Sequence, residues 1–466
     1  MTASSFANRD EIRASFSRAM SDMYKTEVPL YGTLMELVAE TNDGVLASNS
    51  QVAQSLKLTG EIQRLDMERH GAIRVGTATE LATLSRLFAV MGMEPVGYYD
   101  LTPAGVPVHS TAFRAVHEHA LQVSPFRVFT SLLRLELIAN PELRDFASQV
   151  LSKRQIFTPR ALELIEKSEL DGGLTEADAQ DFVEQALETF RWHSTATVSL
   201  DQYKQLNAQH RLIADVVAFH GPHINHLTPR TLDIDTVQDG MPKKGITPKA
   251  VVEGPPRRNC PILLRQTSFK ALEEPITFIG QSANEAGSHS ARFGEIEQRG
   301  AALTPKGREL YDQLLNEARD ALGEFPNEGN AVRYAELLGT AFKAFPDSHE
   351  EMRDQDLAYF RYFATEQGIA AGASIQQGSS LEQLISAGYV HFEPLVYEDF
   401  LPVSAAGIFQ SNLGDDAQSH YGTSSNQQDF EQALGRSTIN ELKLYADTQR
   451  RSLQECSQAL GIAPFA

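Results

Sequence analysis

Three short stretches carrying imidazoles, carboxylates and arginines stand far apart in this chain. They are Leu65-Asp-Met-Glu-Arg-His70-Gly-Ala-Ile-Arg74, His220-Gly-Pro-His223-Ile-Asn-His226 and Arg292-Phe-Gly-Glu295-Ile-Glu297-Gln-Arg-Gly300. For these groups to act together the fold must be non-local, closing long loops to bring distant segments into one site. With 466 residues, 42% of them hydrophobic, the chain can bury a core large enough to do so.

Cysteine narrows the chemistry further. Cys260 and Cys456 are the only two and share no C-x-x-C spacing, so a disulfide framework and a thiolate zinc site are both excluded. Any metal has to rely on His, Asp and Glu. Lys and Arg number 41 against 61 Asp and Glu, a formal charge of −20, and no block of five or six basic residues interrupts it. Such a balance repels nucleic acid and anionic membranes, so neither is an expected partner. The N-terminus lacks a basic start followed by an apolar run, and no stretch approaches the ~18 apolar residues of a membrane span. The expected location is the cytoplasm.

Residues 1–60 show helical apolar spacing, as in Tyr31-Gly-Thr-Leu-Met-Glu-Leu-Val-Ala-Glu. β-like runs follow at Gly71–Gly76, Val96–Leu101 and Pro107–Arg114. From about Phe129 to Tyr203 the pattern is helical, with starts at Thr158-Pro159 and Thr175 and an apolar stripe of Phe182, Ala186, Leu187 and Phe190. Extended structure is expected again at Asp215–Phe219, Ile262–Arg265, Ile276–Gly280 and Ala291–Glu297. A Pro/Gly/Lys/Arg-rich loop or flap lies between, at about 239 to 260. Thr304-Pro305 caps a helix through Leu322, and more helix runs to about Glu366. Strands near 389–392 and 394–397 and a closing helix from Phe430 to about Cys456 complete the chain. Without repeats or low-complexity linkers, the order reads as one interlocked unit over 1–466. Its parts are a helical N-terminal section (1–60), a metal-binding β core (61–128 and 214–300), a helical insertion (129–213), a helical part (301–385) and pocket-closing strands with the last helix (386–466).

Two imidazoles and one carboxylate on one face of a metal leave the remaining positions open, the donor set of non-haem Fe(II) sites. His70 can supply one imidazole and the His220/His223/His226 cluster another; spacing alone does not choose among those three. Glu295 and Glu297 share a strand face, either as a buried pair needing a metal or cations or as surface acids. Arg74, four residues beyond His70, lies on the same strand face as that histidine. An arginine fork there suits capture of a carboxylate, the competing reading being a surface ion pair with one of the abundant acids. Phe293, Phe392 and Phe409 are candidates to wall the cavity.

These stretches, together with Tyr397-Glu-Asp-Phe-Leu-Pro-Val403-Ser-Ala-Ala-Gly407, resemble the bacterial 2-oxoadipate dioxygenase/decarboxylase family, also called D-2-hydroxyglutarate synthase, over nearly the whole chain. The resemblance implies an α+β fold in which a central, curved, vicinal-oxygen-chelate-like sheet encloses the metal and many helices elaborate it. It implies an Fe(2+) cofactor and conversion of 2-oxoadipate and O2 to D-2-hydroxyglutarate and CO2 in lysine catabolism. Carried over by motif, His70, His226 and Glu295 are the implied metal ligands. Arg74 is the implied clamp on the far carboxylate and Val403 a substrate contact through its backbone, with His70 also beside the substrate. The same donors also suit a glyoxalase-type zinc or nickel lyase or isomerase, and a non-catalytic keto-acid-binding protein would need Arg74 but not the metal.

Overall fold

The computed structural model describes residues 6–281, 287–324, 326–376, 378–400 and 424–465. The fold is α+β. Its centre is a five-stranded sheet of β1 (Arg69–Val75), β2 (Glu94–Asp100), β3 (Val108–Arg114), β4 (Arg127–Leu133) and β5 (His226–Pro229), in the spatial order β2-β3-β4-β1-β5. β1 runs parallel to β4, and every other pairing in the sheet is antiparallel. A parallel neighbour needs a crossover, and the helix Ala78–Val90 begins that connection. Thr77 and Glu80 start this helix as a reciprocal capping box.

The two faces of the sheet differ in chemistry because successive side chains alternate. On one face Ile73, Val75, Val128, Leu132, Phe113 and Leu227 enter the largest apolar cluster, which also takes Phe16, Tyr24 and Leu34 from the N-terminal helices Arg9–Glu27 and Pro29–Ser48. The other face presents His70, Arg74, Arg127, Arg114, His226 and Thr228, all buried. In register, His70 lies opposite Thr228 and Arg127, and Ala72 lies opposite His226. Gly71 permits the approach of the β5 segment: a Cβ there would sit 2.6 Å from Ile224 Cδ1.

Outside the sheet, β6 (Leu264–Ser268) pairs with β9 (Glu295–Arg299), while β7 (Glu273–Ile276) pairs with β8 (Gly287–Ser290). An Arg230–Glu297 bridge places β9 beside the end of β5. A second apolar cluster gathers the helix Pro305–Leu322, capped by Thr304, with β10 (Phe360–Ala364), β11 (Val390–Pro394) and the helix Glu441–Leu460.

Several local expectations are corrected. Residues 127–133, at the edge of the region read as helical, form β4: every residue is buried, so no period-two alternation marks it as a strand. Asp215–Phe219 is not extended; residues Arg211–Val217 form a helix, capped by the His210 side chain. The 276–280 run lies mostly beyond β7, and the 291–297 run enters the ladder only at Glu295. Residues 394–397 contribute an isolated bridge at Val396, and the closing segment holds two helices, Ser424–Leu434 and Glu441–Leu460, instead of one. Val403 and Phe409 lie outside the described residues.

Candidate metal centre

β1, β5 and β9 each bring one side chain to a common point. His70 Nε2 is 3.1 Å and His226 Nε2 is 3.4 Å from the same oxygen, Glu295 Oε2. All three side chains have zero exposure. Among the described residues neither ring nitrogen of His226 has a hydrogen-bond partner, and Glu295 Oε1 has none either. Each buried polar atom left in that state costs about 1–3 kcal/mol. A cation among these donors relieves that cost, and their chemistry, two imidazoles and a carboxylate, fits Fe(II).

The charge balance points the same way. Around the site, Arg64, Arg127, Arg230 and Arg299 form buried ion pairs with Glu61, Glu68, Glu297 and Glu398. Four positive charges meet four negative ones, and Glu295 is outside that set. Among the described residues it has no Lys or Arg ion-pair partner; Thr228 Oγ1 donates to its Oε2 at 2.7 Å, which aims the carboxylate. A carboxylate outside that set, beside two imidazoles, is an environment that favours a divalent ion.

Glu295 and Glu297 are both fully buried, so the surface-acid alternative does not hold. They have different surroundings. Arg299 grips Glu297 with two hydrogen bonds of 2.7 and 2.9 Å, and Glu297 Oε2 lies 2.9 Å from His70 Nδ1. Through that contact the Glu297 charge favours the charged imidazole of His70. Glu297 therefore stands behind His70 as an outer carboxylate, an arrangement that orients an imidazole toward a metal. Burial would raise the Glu297 carboxyl, but Arg299 and His70 hold it down at about 2. Burial drives His226 down to about 4, leaving its ring neutral with a lone pair to offer. On His70 burial is outweighed by Glu297 and Glu295, which hold the imidazole above its ordinary value.

Of the other candidates, His220 is exposed, and His223 is buried in a second cluster with Asp215 and His289. Arg74 is buried on the His70 face, and its Nη1 donates to Asp215 Oδ2 at 2.6 Å, so the expected pairing with an acid is present but not at the surface. Phe293 packs 4.9 Å from the His226 ring as expected, whereas Phe392 packs against Phe360 elsewhere. Sequence reasoning missed Phe400, whose ring lies 4.9 Å from His70, and Lys249 in the 239–260 loop. Burial pulls the Lys249 amine down to about 8 against the pull of Glu253 and Glu295. A cleft lined by Glu61, Arg64, Arg114 and Tyr445 contains none of His70, His226 or Glu295, so the centre is not that opening.

The family model described as 2-oxoadipate dioxygenase/decarboxylase matches residues 16–412. The chain belongs to that family. It is 68% identical over 462 residues to a 2-oxoadipate dioxygenase/decarboxylase of Pseudomonas putida, covering 99% of both chains. An Escherichia coli relative of the same name is 57% identical, with 96% of this chain and 98% of that one covered. The crystal structure of the Pseudomonas putida hydroxyglutarate synthase in complex with 2-oxoadipate superposes with a TM-score of 0.93 at 66% identity, covering 98% of this chain and 99% of that one. Among the described residues no helix is long and apolar enough to cross a membrane.

Proposed function

We propose that this chain is an Fe(II)-dependent 2-oxoadipate dioxygenase/decarboxylase that forms D-2-hydroxyglutarate and CO2, a step of lysine catabolism, with His70, His226 and Glu295 as metal ligands. The observation that carries the reading is the meeting of these three buried side chains, each with an unsatisfied atom among the described residues, at one point. Family membership and the 2-oxoadipate bound by the Pseudomonas putida relative support the choice of substrate. Fe(II), when bound, supplies a Lewis-acidic site for the 2-oxo acid end and an electron source for dioxygen.

The protein's own groups do the rest. Thr228 and Glu297 fix Glu295 and His70 from behind. Phe293 and Phe400 pack against the two imidazoles and keep bulk water from the reacting atoms. Arg74, on the same sheet face as His70, is the residue we assign to the far carboxylate of the substrate, with Val403 as a further contact. The overall change balances without a second organic substrate: one 2-oxoadipate and one O2 give one 2-hydroxyglutarate and one CO2.

The test is anaerobic Fe(II) reconstitution followed by oxygen uptake with 2-oxo diacids of five to seven carbons. One O2 consumed and one CO2 released per 2-oxoadipate supports the reading. Turnover without oxygen consumption would move the assignment to a glyoxalase-type lyase or isomerase.

A further inference from the structure

We propose that Tyr203, His289 and Asp215 form a positioning relay that fixes the guanidinium of Arg74 and so sets the chain length of diacid the site accepts. The proposal rests on the functional reading above, which makes Arg74 the far-carboxylate partner. Four separate elements converge here: β1 with Arg74, the helix Arg211–Val217 with Asp215, the helix Leu200–Gln209 with Tyr203, and β8 with His289. Arg74 Nη1 meets Asp215 Oδ2 at 2.6 Å, His289 Nε2 meets Asp215 Oδ1 at 2.9 Å, and Tyr203 Oη meets His289 Nδ1 at 2.8 Å.

The direction of each bond follows from its chemistry. An ionised carboxylate only accepts, so Arg74 and His289 both donate to Asp215. His289 then carries its proton on Nε2, and Nδ1 accepts from the Tyr203 hydroxyl. Burial raises the Asp215 carboxyl, and His223 and Arg74 outweigh it to hold it well below its ordinary range. At neutral pH His223 is uncharged, its imidazole driven down to about 3 mainly by burial, so Arg74 is the cation that keeps Asp215 ionised. Trp192 closes the cluster, nearly parallel to His289 at 6.1 Å and edge-on to His223 at 4.7 Å.

Asp215, His223 and His289 offer the same kinds of donor as the metal candidate, two imidazoles and a carboxylate, and lie as close together. Their bonding is different. Both His289 nitrogens are engaged and a guanidinium sits 2.6 Å from the carboxylate. A cation there would face Arg74, so the cluster serves the arginine instead. The placement has a length consequence. His70 and Arg74 are four residues apart on β1, about 13 Å along the strand, and adding or removing one methylene moves a far carboxylate by about 1.3 Å. A fixed, fork-shaped donor distinguishes such shifts and a loose one does not.

The experiment compares wild type with Asp215→Asn, His289→Ala, His289→Gln and Tyr203→Phe. Anaerobic calorimetric binding of 2-oxoglutarate, 2-oxoadipate and 2-oxopimelate to the iron-loaded protein reads the relay, and oxygen uptake reads the proposed reaction, so the two can fail separately. Asp215→Asn and His289→Ala are expected to weaken 2-oxoadipate binding by about tenfold or more and to cut its preference over the C5 and C7 acids by a similar factor. In turnover the loss falls on KM more than on kcat, and iron stays at one per chain. His289→Gln retains an N–H near the Nε2 position and restores the preference to within about threefold of wild type; Tyr203→Phe gives a smaller loss in the same direction. An unchanged preference in iron-loaded His289→Ala overturns the proposal, as does equal loss in His289→Ala and His289→Gln, or loss of iron in step with binding. If Asp215→Asn does not fold, the two His289 variants and Tyr203→Phe decide the matter.

Discussion

Replacing Glu297 by Gln tests the division of labour between the two adjacent glutamates. The substitution keeps the shape and removes the charge 2.9 Å behind His70 Nδ1. Loss of an outer carboxylate of this kind weakens metal binding by roughly 10- to 100-fold, equivalent to about 1.4–2.7 kcal/mol. The fold should also lose about 2 kcal/mol, because Arg299 keeps one acceptor from the amide, its bonds to the Tyr397 and Asp399 carbonyls and the more distant Glu68 but loses its nearest counter-charge. The assay is anaerobic Fe(II) titration of the apoprotein against a chromophoric chelator, with thermal melts alongside and Glu295→Gln as comparator. Glu295→Gln should bind iron at least another tenfold more weakly. Wild-type affinity in Glu297→Gln would refute the outer role, and damage equal to that of Glu295→Gln would make Glu297 a ligand.

His226→Ala should leave less than one-tenth of the stoichiometric iron with the melting behaviour nearly unchanged, read by metal analysis after anaerobic loading. Asp399 accepts from Arg114 at 2.7 and 3.0 Å and from the Tyr445 hydroxyl, all buried. Asp399→Ala should therefore cost about 3–5 kcal/mol in chemical denaturation, while Asp399→Asn costs less. Apoprotein stability should fall on acidification below about pH 6.5. His109 and His223 are depressed to about 4 and about 3, chiefly by burial. Between those values and about 6.5 the unfolded chain binds more protons, so together they remove about 4 kcal/mol by pH 5, or roughly 5 °C in melting temperature. A flat melting temperature from pH 7 to pH 5 would contradict this.

The sequence made β1 to β3 legible because Gly71, Gly76 and Pro107 punctuate β-branched runs. It hid β4, whose Arg127 and Ser131 face the polar side of the sheet yet are as buried as Val128 and Leu132. It misled at Val216-Val217, a β-like pair that ends up helical. The shared face of Glu295 and Glu297 was readable from strand period, but their burial was not, since Glu297 is met by Arg127 and His70 and Glu295 by His70, His226 and Thr228, all arriving from other segments. His289 carried no local signal at all: its partners, Tyr203 and Asp215, are 86 and 74 residues away.

The position of β1 between β4 and β5 has a consequence for how the polypeptide is made. One edge of β1 can be covered once residues 127–133 have emerged from the ribosome, but the other waits for residues 226–229. At about 5–20 residues per second the interval from β1 to β5 is on the order of 10–30 s, during which a hydrogen-bonding edge stands open. Nascent chains stalled or cleaved in that interval present a template for aggregation, and the three donors of the proposed metal site are all present only after Glu295 has followed.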